Sequence, residues 1–184
     1  MGRPKLLLPF GDSTMLEQTI AKLLNSCADE VIVVVRDGDK EIIRMIANSP
    51  VKIAFNALYQ QGMSTSIVKG LSLVDDRAAA VMFALADQPF VDSKDIDKLI
   101  KAFLSHNKGI VIPVHNGKRG HPVVFSTRYR EELLGLKDDM GGRQIIKQYP
   151  DDILEVAVDS QGVNIDIDTW QDYVKARSRF QAPD

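Results

Sequence analysis

The sequence predicts an α/β fold in three layers, an αβα sandwich around a mostly parallel sheet with an antiparallel portion. Three observations predict it. Short β-branched runs alternate with segments whose apolar residues recur three and four positions apart. Most of the runs are apolar throughout, as strands are when helices cover both faces of a parallel sheet. The stretch GIVIPVHNGKRGHPVVF (109–125) instead reads as two strands joined by a polar turn, which makes a hairpin and is therefore antiparallel.

In chain order, STMLEQTIAKLL opens with a cap signal at Ser13/Thr14 and Glu17 in its first turn, marking a helix. EVIVVV (30–35) is the strand that follows. DKEIIRMIAN keeps the helical period and leads to a second strand, VKIAF (51–55). STSIVKGLSLV is the next helix, AAVMFALA (79–86) the next strand and SKDIDKLIKAFLSH the helix after it. The hairpin runs GIVIPV (109–114) and PVVF (122–125) come next. ILEVAV (153–158) and VNIDI (163–167) read as two more strands, and TWQDYVKARSRF closes the chain as a helix. No repeat, linker or low-complexity stretch interrupts the pattern, so residues 1–184 read as one domain.

At 184 residues the chain is long enough to bury a core of its own. A net charge of -2 gives no reason to expect nucleic acid or an acidic membrane surface as a partner. No apolar run approaches the roughly 20 residues that span a bilayer, and LLLPF is too short for a secretory signal. The single cysteine, Cys27, has no partner histidine or second thiol beside it and reads as a small packed or half-buried residue. One unpaired cysteine fits a reducing compartment, so the expected location is cytoplasmic.

Ligands of such sheets sit beyond the carboxyl ends of the strands, so the polar residues just after each apolar run carry the functional reading. FALADQPF (83–90) delivers Asp87 to a strand end, and Pro89 fixes the turn behind it. An aspartate there can hold a divalent cation over a phosphate, or it can cap a turn. In VNIDIDTW (163–170), Asp166 and Asp168 alternate and share a side if the segment is extended. Thr169 or Asp168 could equally cap the final helix. Carboxylates from two segments suit magnesium bound to a triphosphate. In YQQGMSTSIVKGL (59–71), Gly62, Ser64, Thr65 and Ser66 fall at a helix start, whose N–H groups can hold an anion or simply be capped. His121 begins a strand beside Lys118 and Arg119, and Arg143 follows a glycine pair in DDMGGRQII (138–146). The other histidines, His106 and His115, have no metal-ligand spacing to His121. The chain contains no G-x-x-x-x-G-K-[ST], no G-x-G-x-x-G and no G-x-S-x-G, which removes the main support for P-loop, dinucleotide-binding and acyl-transfer readings.

Taken in order, MGRPKLLLPFGDSTML, YQQGMSTSIVKGL, LADQPFV, KRGHPVVF, MGGRQII and DIDTWQDY resemble the blocks of the MobA-like nucleotidyltransferases. That family includes the molybdenum cofactor cytidylyltransferases and guanylyltransferases. The resemblance runs along nearly the whole chain, and the ADQP and GHPV blocks lean toward the cytidylyltransferase branch. It implies a Rossmann-like sheet of the nucleotide-diphospho-sugar transferase type. It implies transfer of CMP from CTP to the molybdopterin form of the molybdenum cofactor, with release of pyrophosphate. The alternatives are a GTP-using guanylyltransferase, a sugar-phosphate nucleotidyltransferase, and a non-catalytic cofactor-binding protein.

By the same resemblance Lys5 and Asp87 are catalytic, and Gly2, Arg3 and Lys5 meet the nucleotide. Ser64, Ser66 and Gln88 line the nucleotide or substrate side, and His121 and Arg143 face the acceptor. Asp87 and Asp168 hold magnesium, or manganese in its place, with Asp166 as a further candidate ligand. The partners implied are CTP, the pterin cofactor, and a molybdenum hydroxylase or its chaperone. In the family a strand and an Ala-Ala-Gly loop precede the position of Met1, so the expectation is an N-terminally incomplete domain that begins inside its signature loop.

Overall fold

The computed structural model describes residues 4–137 and 141–181. The chain enters through a 3-10 turn, Lys5–Leu7, and a small antiparallel hairpin of β1 (Pro9–Phe10) and β2 (Ser13–Thr14). Helix α1 (Met15–Leu24) starts as its sequence requires. The Glu17 N–H donates to Thr14 Oγ1 at 3.3 Å, and the Thr14 N–H donates to Glu17 Oε2 at 2.8 Å, a complete capping box.

Strand β3 (Ile32–Arg36) runs parallel to β4 (Lys52–Asn56), joined by α2 (Lys40–Ile46). Then come α3 (Met63–Leu71), β5 (Ala80–Phe83), α4 (Ser93–Ser105) and β6 (Ile110–His115). The remaining elements are β7 (Lys118–Arg119), β8 (Val123–Ser126), α5 (Arg130–Leu134), α6 (Arg143–Gln148), β9 (Ile153–Ala157) and α7 (Trp170–Gln181). Strand β8 lies antiparallel between β5 and β6, while β9 pairs with β6 in parallel. Strands β5, β6 and β9 therefore share one direction. The predicted hairpin is present: β6 turns through Asn116 (φ +49) and Gly117 (φ +73) into β7. Positive φ at both central residues matches the twist of a two-residue hairpin.

The faces of the sheet separate with the strand period of two. Ile110 and Ile112, Val123 and Phe125, and Val81 and Phe83 point to one side, where they pack with Ile67 and Leu71 of α3, Leu133 of α5 and Ile145 of α6. Val111, Val124, Met82 and Leu154 point to the other side and pack with Leu99 of α4. The core is thus split by the sheet, and three layers result.

Among the described residues β3–β4 and the five-stranded sheet share no ladder. Two expectations need correction. The strand predicted over 79–86 ends at Phe83, the last residue paired with β8. Position 122 is a proline with no N–H to extend that ladder. VNIDI is not a strand: Gln161–Asn164 form a 3-10 turn, and 165–168 belong to no ladder. Its backbone is spent on loops, because the Val163 carbonyl accepts from the His121 N–H at 2.9 Å and the Ile167 N–H donates to the Asp87 carbonyl at 3.2 Å.

A separate apolar cluster carries the site. Phe10, Met15 and Ile167 are fully buried and pack with Leu8, Tyr173 and Ala176. Phe10 meets Phe90 edge-on with ring centroids 5.4 Å apart. The Tyr173 hydroxyl donates to the Pro9 carbonyl at 2.6 Å. This cluster ties together the entry segment, the turn after β5 and the approach to α7. Gly162 sits tightly beside it, since a Cβ there would lie 2.1 Å from the Phe90 carbonyl oxygen. Gly162→Ala should therefore lower the free energy of unfolding by about 1–3 kcal/mol, read as a shift in the urea midpoint at unchanged m-value.

Candidate active site

The site is assembled from three segments distant in sequence. Lys5 lies in the entry turn, Asp87 follows the end of β5, and Asp168 precedes α7. Lys5 Nζ donates to Asp87 Oδ2 at 2.8 Å and to Asp168 Oδ1 at 3.1 Å. The Lys5 and Asp87 side chains are about three-quarters buried, whereas that of Asp168 is 69% exposed. Burial disfavours the ammonium, but the bonds to Asp87 and Asp168 outweigh it and hold the Lys5 pKa above its ordinary value. The lysine is a cation held between two carboxylates.

Thr169 is the residue that caps α7: its hydroxyl accepts from the Asp172 N–H at 3.1 Å, and its N–H donates to Asp172 Oδ2 at 2.9 Å. Asp168 is released from that duty. The Asp87 carboxylate is engaged by Lys5 across the site rather than by its own turn.

Asp166 and Gln88 form a second pair beside the first. Gln88 Nε2 donates to Asp166 Oδ1 at 2.6 Å, and Gln88 is only 3% exposed. Gln88 is therefore packed behind the carboxylates and is not an open contact for nucleotide. Among the described residues no group of three or more His, Cys, Asp or Glu is placed to hold a metal ion, and Asp166 accepts from Gln88. The pair Asp87 and Asp168 still suits magnesium, which is commonly bound by one or two carboxylates with substrate phosphates and water completing its shell.

The loop from β4 into α3 is organised by Asn56, a residue that none of the sequence motifs singles out. Asn56 is buried at the carboxyl end of β4, and its Nδ2 donates to Thr65 Oγ1 at 2.9 Å and to Ser66 Oγ at 3.0 Å. Its Oδ1 accepts from the Leu58 N–H at 2.9 Å. Its position directly after VKIAF is the signal that could have found it. Ser66 belongs to this network, while Ser64 is buried in the interior at 3% exposure and does not line an open surface. The N-cap of α3 is Gly62, which offers no side-chain cap.

His121 donates its backbone N–H to the Val163 carbonyl at 2.9 Å, and its ring Nδ1 is buried with no hydrogen-bond partner among the described residues. Burial pushes its imidazole below the usual value, Arg143 adds to that effect, and Asp166 and Asp87 oppose it. His121 is thus within electrostatic reach of Arg143, Asp166 and Asp87. Gly2 and Arg3 lie outside the described residues, as does the start of the DDMGG segment.

The MobA-like NTP transferase domain matches residues 1–153. The chain belongs to this family. Across 98% of its length it is 27% identical to the molybdenum cofactor cytidylyltransferase of Escherichia coli (strain K12), covering 90% of that protein. It is 25% identical over 178 residues to nicotine blue oxidoreductase of Paenarthrobacter nicotinovorans, covering 90% of this chain and 85% of that one. The crystal structure of the manganese complex of Rv0371C from Mycobacterium tuberculosis H37Rv superposes with a TM-score of 0.84 at 26% identity, covering 96% of this chain and 93% of that one. This MobA-like chain is a nucleotidyltransferase.

Two outcomes follow from the geometry. Asp87→Ala should reduce nucleotidyl transfer to background while far-UV circular dichroism and melting stay close to wild type; near-normal turnover would remove Asp87 from the chemistry. Because the folded state resists protonating His121, the unfolded chain binds more protons below its ordinary pKa of ~6.5, so stability present above that pH declines as the pH falls toward the lowered folded value. His121→Gln should flatten the slope of unfolding free energy against pH in that window.

Proposed function

We propose that this nucleotidyltransferase moves CMP from CTP to the terminal phosphate of the molybdopterin cofactor and releases pyrophosphate. The observation that carries the reading is the meeting of Lys5, Asp87 and Asp168 at one point. A cation flanked by two carboxylates beyond a strand end is what a metal–triphosphate needs. The likeness to the Escherichia coli cytidylyltransferase over almost the whole chain supports CTP and the pterin acceptor.

The chemistry asks for no covalent enzyme intermediate. An oxygen of the acceptor phosphate bonds to the α-phosphorus in line, and the bond from that phosphorus to the pyrophosphate oxygen breaks on the opposite side. The acceptor is already ionised, so no general base is required. Positioning and charge neutralisation are the protein's contribution. Lys5 exchanges its carboxylate partners for triphosphate oxygens and neutralises the leaving charge. Asp87 and Asp168 would hold magnesium or manganese, which supplies Lewis-acid neutralisation of the phosphates when bound. The Mycobacterium structure is a manganese complex, which is consistent with a divalent ion in this fold. Arg143 and His121 would face the acceptor.

The test is a thermal-shift titration with magnesium and CTP against magnesium and GTP. A ligand at one hundred times its dissociation constant stabilises the native state by about 2.7 kcal/mol. A rise in melting temperature with CTP and none with GTP is the expected result. A rise with GTP alone would transfer the assignment to the guanylyl reaction.

A further inference from the structure

The role of Lys5 raises a physical problem that the neighbouring residues answer. When Lys5 turns to the triphosphate, Asp87 and Asp168 lose the ammonium that bridges them, and two like charges at close quarters repel. Two bonds hold the two segments together without the lysine. The Ile167 N–H donates to the Asp87 carbonyl at 3.2 Å, and Gln88 Nε2 donates to Asp166 Oδ1 at 2.6 Å. One bond starts from the residue before Asp168 and the other from the residue after Asp87. Fully buried Ile167 anchors the same segment.

Gln88 is an unexpected residue for its place. It is 3% exposed, and its Oε1 is buried with no hydrogen-bond partner among the described residues. An unsatisfied buried acceptor costs free energy that an apolar side chain of similar length would avoid. Packing alone therefore argues for methionine or leucine at position 88. What the amide contributes is its bond to Asp166, a carboxylate that is exposed and lies in a segment without ladder bonds. We infer that Gln88 is a positioning residue for the metal–nucleotide site: through Asp166 it clasps the segment carrying Asp168 to the turn carrying Asp87, and so sets the spacing of the two carboxylates once Lys5 has moved. Asp166 acts here as the neutral donor's acceptor and not as a metal ligand. The inference rests on the metal–nucleotide reading proposed above.

The experiment titrates Mn2+ into the full chain with saturating CTP and no acceptor, following water proton relaxation, with a melting curve for each variant. Partners that orient metal ligands typically contribute 10–100-fold to affinity, so Gln88→Met should weaken Mn2+ binding about 10-fold or more, with a raised KM for metal–CTP and a smaller change in kcat. Asp166→Ala, at an exposed position where folding is not at stake, should do the same. Asp166→Asn keeps an oxygen that can accept from Gln88 and should retain Mn2+ affinity close to wild type. Gln88→Met with wild-type Mn2+ affinity would overturn the inference, whatever its melting temperature. Equal losses in Asp166→Asn and Asp166→Ala would overturn it also, because the charge of Asp166 and not the clasp would then matter. Failure of the wild-type chain to bind Mn2+ with either CTP or GTP would instead overturn the reading on which the inference rests.

Discussion

The ion triple of Lys5, Asp87 and Asp168 is the interaction around which the rest of the molecule is arranged. Its members stand 82 and 163 residues apart from the lysine, so no local structure can bring them together. The cost of gathering them is entropic and electrostatic: three remote segments must be fixed, and two carboxylates must share one point. The fold meets the first cost with the apolar cluster of Phe10, Met15, Ile167 and Tyr173, which packs directly beneath the segments that carry the charges. It meets the second with the lysine itself.

The two halves of the core serve different ends. The five-stranded sheet with α3, α5 and α6 on one side and α4 on the other is a conventional layered core, with the faces of β6 and β8 both buried. It gives β5 a rigid frame from which Asp87 is presented. The region of α1, α2 and β3 forms another cluster, with Leu16, Ile20, Val35 and Ile46 at its centre and Leu6, Leu7 and Ala86 packed against it. The entry turn that bears Lys5 thus has apolar neighbours on two sides, because Leu6 also touches the cluster around Phe10. A flexible lysine on a firmly packed turn is well suited to changing partners without disturbing what lies beneath it.

Loop chemistry around the site is built from short-range bonds. Thr169 caps α7 and frees Asp168, and Asn56 ties Thr65 and Ser66 to the end of β4. Arg128 and Tyr129 both bond Asp152 at the far end of the sheet. Burial opposes the charge on Asp152, yet the bonds from Tyr129 and Arg128 keep its pKa below the usual carboxylate value. That group stands apart from the candidate site and fastens the start of β9 to the turn after β8.

The sequence by itself determined the alternation of strands and helices, the hairpin at 109–125 and the Thr14–Glu17 cap. Each of these is written in a local period or in a short motif, and local patterns act through neighbours along the chain. The tertiary structure alone decided which strand-end aspartates meet, that Gln88 and Ser64 are interior, and that Asp166 accepts from the Gln88 amide. It also decided that VNIDI is spent on loop bonds: Val163 gives its carbonyl to His121 and Ile167 its N–H to Asp87, partners tens of residues away. An alternating apolar pattern is compatible with a ladder, but whether a neighbouring strand is there to pair with it depends on the whole fold. Asn56 lay between these cases. Its place at a strand end was visible in the sequence, while its two hydroxyl partners became apparent only when α3 folded back onto β4.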